Sequence, residues 1–304
     1  MPTGRYVRPV TRKAVMKTTA PEHLLRADGV TVRFGGLTAL DDVGLHVAPG
    51  SVVGLIGPNG AGKTTLFNVL SGVLRPTAGT ISWKGEPPPG RRTHHLAKAG
   101  IARTFQGLNL FPMMPVIANV MVGADRLAGG GPFSLISGLG RHHKDEREIR
   151  ERAFTTLERF GIAEYATRLP GTLPYGVQKQ VALARACVGE PELLLLDEPA
   201  SGLSGQQMND LGEQIRGFSQ DMAVVLVEHH MDLVMDVCDH IFVLDFGKVI
   251  SAGTPAEVQA DPAVTRAYLG TPADKTPGDE NPIDGGSVAD EQGLNGTRRN
   301  GAAR

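Results

Sequence analysis

The stretch Gly57-Pro58-Asn59-Gly60-Ala61-Gly62-Lys63-Thr64-Thr65 lies between an apolar run, Ser51 to Ile56, and a segment of helical pattern, Leu66 to Ser71. Strand, glycine-rich loop, Lys-Thr and helix follow in the order that a phosphate-binding loop needs, and an ordinary glycine turn does not require that order. Glycine at 57, 60 and 62 lets the backbone take positive φ and turn successive N–H groups inward. Lys63 then reaches the terminal phosphates and the Thr64 hydroxyl can hold Mg²⁺, with Thr65 as a second hydroxyl at the same helix start. Pro58, Asn59 and Ala61 complete the cradle.

Composition limits what such a cradle serves. The 304 residues, 41% hydrophobic, suffice for one large core or two modest ones. A net charge of −1 gives no overall attraction to nucleic acid or anionic lipid, so no nucleic-acid partner is expected. No run of about 18 apolar residues is present, so no membrane span is expected. Cys187 and Cys238 stand far apart in mixed apolar sequence, which reads as two buried, reduced thiols in a cytosolic setting. Residues 1–23, with Arg5, Arg8, Arg12, Lys13 and Lys17, read as a disordered basic leader without the apolar core of a secretory signal; Met16 offers an alternative start.

Along the chain, Val30, Val32 and Phe34 alternate as a strand, and Leu45-His46-Val47 makes a second. Phe34 is either a core strand residue or an aromatic face for a nucleotide base. The cradle helix is predicted to end at Gly72, with strands at Thr80–Trp83 and at 100–105, the latter ending on Gln106. Gln106 offers an amide to a metal, a water or a phosphate, or is a solvated loop residue. Phe111, Met113 and Met114 fall in a proline-bracketed loop that either meets a partner or packs on itself. After a glycine-rich stretch at 123–140, Asp145 to Phe160 is an amphipathic helix with Ile149, Ala153, Leu157 and Phe160 on one stripe.

A further helix opens at Leu173-Pro174-Tyr175-Gly176-Val177-Gln178. It leads to Leu193-Leu194-Leu195-Leu196-Asp197-Glu198-Pro199, the pattern of a parallel strand buried on both faces. Carboxylates at the carboxyl end of such a strand sit where open α/β sheets bind ligands. Asp197 can hold Mg²⁺ through water, and Glu198 can orient or deprotonate an attacking water. Next come a helix from Gln206 to Gln220, a buried strand from Ala223 to Val227, and Glu228-His229-His230 at its end. Two adjacent histidines on extended backbone cannot both face one site, so only one is expected to act. A helix (Met231–Cys238), a hairpin (Ile241–Leu244 with Val249–Ser251) and a helix (Pro262–Leu269) complete the folded part, and 271–304 read as a disordered tail.

In this order, GPNGAGKTT, Gln106, LPYGVQ, LLLLDEP and Glu228-His229 resemble the ATP-binding cassette ATPases, over Leu24 to Gly270. Within them the chain is most similar to the ATPase subunits of branched-chain amino acid importers, through Phe34 to Leu40, Arg103-Thr104-Phe105-Gln106, the insertion after Gly123, Glu228 to Asp232 and Ala267-Tyr268-Leu269-Gly270. The resemblance implies an α/β P-loop fold with a mostly parallel core sheet, an antiparallel β subdomain and a helical subdomain at about 107–190 that carries the signature segment. It implies that Gly57 to Thr65 bind ATP, Phe34 stacks on adenine, Gln106 senses the γ-phosphate, and Thr64, Gln106 and Asp197 serve Mg²⁺. Glu198 would be the base and His229 would contact the γ-phosphate. Pro174, Tyr175 and Gly176 would meet the nucleotide of a second ATPase subunit in a head-to-tail dimer.

It further implies an integral-membrane permease docked on the 106–115 loop, an extracytoplasmic solute-binding protein as indirect partner, and a place on the cytoplasmic face of the membrane. Import of urea or an amide is the alternative within transport; a switch acting on DNA or ribosomes, or a scaffold without turnover, are alternatives outside it. The chain departs from the family pattern at Pro174, where serine is usual, at Val177 for glutamine, and at Ser204 for aspartate or asparagine. Proline brings neither hydroxyl nor N–H.

Overall fold

The computed structural model describes residues 23–88, 93–104, 107–126 and 142–269. First along the chain come β1 (Leu25–Phe34), β2 (Leu37–Val47), β3 (Val52–Ile56) and β4 (Ala78–Trp83), with α1 (Lys63–Leu70) between the last two. Next are α2 (Thr93–Ala99), β5 (Ile101–Arg103), α3 (Val116–Val122), α4 (His142–Arg159) and α5 (Tyr175–Cys187). Then β6 (Leu193–Asp197), α6 (Gly205–Phe218), β7 (Ala223–Val227) and α7 (Met231–Val237) alternate, and β8 (His240–Asp245), β9 (Lys248–Gly253), α8 (Pro255–Ala260) and α9 (Pro262–Leu269) finish the described chain.

The uninterrupted apolar runs become β3, β6 and β7, every residue of which is buried. They lie side by side in a six-stranded sheet of order β5-β6-β7-β3-β8-β9, parallel except for the last strand, which returns antiparallel to β8. Alternate residues serve opposite faces. Leu193 and Leu195 join one core with α1 and the three-stranded antiparallel sheet β2-β1-β4, while Leu194 and Leu196 join another with α3 to α7. With helices or a second sheet on both sides, these strands are apolar up to the carboxyl end of β6, where Asp197 stands, and each buried leucine contributes about 1.5–3 kcal/mol. The edge sheet has one wet face, so β1 and β2 read as interrupted alternation instead.

Around this frame α3, α4 and α5 pack on one another. The stripe Ile149, Ala153, Leu157 and Phe160 is buried as its 3.6-residue spacing requires. Both cysteines are free and buried, and burial pushes their thiols up to about 12. Among the described residues, no helix is long and apolar enough to cross a membrane.

Several boundaries differ from expectation. β2 begins at Leu37 rather than Leu45, because Leu37 to Leu40 pair with β1 directly across the Gly35-Gly36 turn. The strand predicted at 100–105 pairs with β6 only over Ile101–Arg103. A helix not anticipated, α8, is announced by Thr254-Pro255 and Glu257: the Thr254 hydroxyl accepts from the Glu257 N–H, and the Glu257 carboxylate accepts from the Thr254 N–H. The basic leader, Phe105 and Gln106, most of the glycine-rich stretch and the tail lie outside the described residues.

The strand register sets up the site. Val227 of β7 is level with Asp197 of β6 on one side and Leu55 of β3 on the other. Three neighbouring strands therefore end together, and the loops that leave them share one edge of the sheet.

Candidate functional site

From the end of β3 the chain enters the glycine loop, with φ of 147°, 83° and 103° at Gly57, Gly60 and Gly62. At Gly57 a Cβ would run into the Leu244 carbonyl of β8, so only glycine fits that exit from the sheet. Gly62 precedes α1 in the left-handed region, and no acidic residue stands in the helix's first turn to oppose an anion. The Lys63 Nζ donates to the carbonyls of Gly57 (2.7 Å) and Pro58 (2.9 Å), folded over its own loop. Burial lowers the Lys63 pKa while the Glu198 carboxylate works against that shift, so cradle and acid share one cleft. Asn59, Gly60 and Thr64 are exposed, Thr65 is half-buried, and Ala61 is buried with its N–H on the Pro58 carbonyl.

At the end of β6, Asp197 is only 8% exposed. Its carboxylate faces the Arg103 guanidinium at 3.6 Å, and its N–H donates to the Thr104 hydroxyl at 3.3 Å. Arg103 is itself held by Asn68 in α1 and Ser71 at its C-terminal end (2.9 and 2.7 Å) and lies over the Phe67 ring. Burial raises the Asp197 pKa, with Arg103 opposing and Glu198 and Glu228 adding to the rise. A largely buried carboxylate at the end of β6 and a threonine hydroxyl at the start of α1 are hard oxygen donors of the kind that Mg²⁺ takes.

Glu198 has φ of 48°, a left-handed conformation that costs a non-glycine residue about 1–3 kcal/mol and persists only when its surroundings impose it. Its N–H donates to the Val227 carbonyl at 2.9 Å.

After β7 the backbone leaves the strand and bends at the histidine pair, so the two rings are not turned to opposite sides as extended backbone would turn them. Glu228 is 1% exposed, and both imidazoles gather over its carboxylate. His230 Nδ1 lies 2.9 Å and His229 Nδ1 3.7 Å from Glu228 Oε2, with the rings 4.1 Å apart. The same oxygen accepts the N–H groups of His229 and His230, while Oε1 accepts the N–H of Ala200 at 2.7 Å. The donor atoms of Glu228, His229 and His230 lie within 4.8 Å of one another, yet N–H donors already take both carboxylate oxygens. This cluster therefore fastens backbone, with the half-exposed His229 ring at its rim.

The edge of the sheet thus unites Gly57 to Thr65, Asp197, Glu198 and His229. Phe34 sits apart, 51% exposed at the end of β1, in the hairpin whose other strand brings the Ala39 carbonyl against Gly62. Pro174, Tyr175 and Gly176 stand at the start of α5 on the helical side, with Pro174 at the N-cap and no side-chain cap on the helix. Sequence reasoning gave no role to Arg103, Lys179 or Glu228; for Glu228 the signal was a charged residue closing a five-residue apolar run.

The loop before α3 is held by side chains of α3 and α5. Buried Asn119 binds the Phe111 N–H and the carbonyls of Phe111, Met114 and Pro115, and Arg185 of α5 binds the carbonyls of Leu108 and Asn109. The backbone is fixed while Phe111, Met113 and Met114 are 46%, 85% and 41% exposed.

Two family models match, "ABC transporter" over residues 40–201 and "Branched-chain amino acid ATP-binding cassette transporter" over 248–274. The chain is 41% identical over 249 residues to the high-affinity branched-chain amino acid transport ATP-binding protein LivG of Escherichia coli (strain K12), covering 81% of this chain and 98% of that one. It is 40% identical, with the same coverage, to the protein of that description, BraF, in Pseudomonas aeruginosa. Among solved structures it is similar to a nucleotide-free ATP-binding cassette from an ABC transporter, with TM-score 0.71 and 29% identity over 82% of this chain and 100% of the other. A cassette in its ADP conformation matches with the same score and identity over 82% and 99%.

Proposed function

This chain belongs to the ATP-binding cassette transporter family, and from that premise we propose that it is the ATP-hydrolysing subunit that powers import of branched-chain amino acids through a separate membrane permease. Its relatives' names favour this over the urea or amide alternative. The observation that carries the catalytic part is the level ending of β3, β6 and β7, which sets the Lys63 ammonium within electrostatic reach of Glu198.

On ATP binding, the Lys63 ammonium leaves the Gly57 and Pro58 carbonyls for the terminal phosphates, and the N–H groups of the loop and of the α1 start close around them. Thr64 and Asp197 would hold Mg²⁺, with Gln106 as a further oxygen donor. The ion, when bound, neutralises charge on the β- and γ-phosphates. Glu198 accepts a proton from the attacking water, and His229 hydrogen-bonds the γ-phosphate from the rim of its cluster. Phe34 stacks on the adenine.

Pro174, Tyr175 and Gly176 present the uncapped N–H groups of α5 to the nucleotide of a second ATPase subunit. Because proline supplies no hydroxyl there, a different ATPase with a complete signature is the fitting partner. The pre-formed loop with Phe111, Met113 and Met114 is the docking surface for the permease on the cytoplasmic face of the membrane, and the solute-binding protein engages the permease from the other side. The test is uptake of labelled leucine, isoleucine and valine by cells lacking this chain. Uptake is lost, returns with the wild-type chain and stays absent with Glu198→Gln; uptake that persists without the chain contradicts the reading.

A further inference from the structure

Three successive groups of the loop after β6 are tied down from three sides. The Glu198 N–H goes to Val227 and the Ala200 N–H to the buried Glu228 carboxylate. The third tie comes from another part of the fold: the Pro199 carbonyl accepts a hydrogen bond of 2.6 Å from Lys179 Nζ, just over one turn into α5. That ammonium is half-buried, lies 5.5 Å over the Tyr175 ring and is attracted by both Glu228 and Glu198, although burial lowers its pKa. Lys179, Asp197, Glu198 and Pro199 line a common cavity of about 30 Å³, room for a water. A half-buried cation directed at one carbonyl adds little stability, since desolvation offsets much of what it gains. Its position instead answers the backbone strain at Glu198, which the surroundings must enforce.

We propose that Lys179 and Glu228 are positioning residues that hold Glu198 in its left-handed conformation, and that Lys179 makes the setting of this base depend on the place of the helix that opens with Pro174 to Gly176. In a head-to-tail dimer that helix start belongs to one nucleotide site and Glu198 to the other. Lys179 is then a link between the two sites within a single chain. The inference rests on the reading of Glu198 as base.

Hydrogen exchange over residues 198–203 is compared with ATP turnover for the wild type, Lys179→Met, Lys179→Arg and Glu228→Gln in the full chain. Lys179→Met exchanges faster at Ala200 and its neighbours and loses about tenfold in kcat, at unchanged KM for ATP and unchanged Tm. Lys179→Arg, which keeps the donor, restores both exchange and kcat. Glu228→Gln, which keeps an acceptor but no charge, falls between the two. Unchanged exchange and kcat in Lys179→Met overturn the proposal, as does a loss of Tm without any split between kcat and KM. Undiminished turnover by Glu198→Gln, measured in parallel, removes the base reading alone; faster exchange in Lys179→Met then still supports the hold on the loop, and unchanged exchange refutes it.

Discussion

The carboxyl edge of the main sheet and the start of α5 are built in opposite ways. At the edge, buried groups pin each functional residue: Arg103 faces Asp197, Val227 and Glu228 hold the loop of Glu198, and Glu228 gathers the two histidines. At the start of α5, Pro174 and Tyr175 are exposed, and no side chain caps the helix. The edge is tied together by its own side chains, whereas the helix start is left open to solvent. In the head-to-tail arrangement proposed above, one chain carries halves of two different sites, and here the halves are unequal.

The inequality can be broken most severely at the edge. Glu198→Gln lowers ATP turnover by about 10²–10⁴-fold while ATP binding, measured by a fluorescent nucleotide, persists. Lys63→Met removes a charge-assisted contact to phosphate and weakens that binding by roughly ten- to a hundredfold. At the helix start the effect runs the other way: Pro174→Ser supplies the missing hydroxyl and raises turnover of the chain alone by about tenfold.

A smaller signature of the edge lies in its pH dependence. Burial raises Asp197, so the folded chain without nucleotide holds this proton more tightly than the unfolded chain does. That contribution to stability is present at low pH and is lost as pH rises from the ordinary carboxylate range through the raised value. Denaturant unfolding shows this slope in the wild type and a flatter one in Asp197→Asn. Least of all, the thiols of Cys187 and Cys238, pushed up to about 12, stay unreactive to a thiol reagent at pH 8 until the chain is unfolded.

Legibility in the amino-acid sequence divides along the same line. The glycine loop, the leucine run with its two acids and the amphipathic stripe of α4 are local patterns, each with a backbone or burial requirement met within a few residues, so they could be read directly. Glu228, Arg103 and Lys179 act through partners distant in sequence: Ala200, Asp197 and Pro199. Nothing beside them announces those partners. The reading of the histidine pair assumed an extended backbone, whereas the chain bends there and the N–H groups of both histidines turn to the buried Glu228 carboxylate. For α8 the signal was local and present in Thr254, Pro255 and Glu257, masked by a glycine before it and a proline after it.

The central claim, a complete cradle and base joined to an incomplete signature, is tested most directly by steady-state ATP hydrolysis of the purified chain over a wide range of protein concentration, for the wild type, Pro174→Ser and Glu198→Gln. The account predicts slow turnover that rises faster than linearly with concentration, acceleration in Pro174→Ser and none in Glu198→Gln. Equal rates for the wild type and Pro174→Ser, or undiminished turnover by Glu198→Gln, would contradict it.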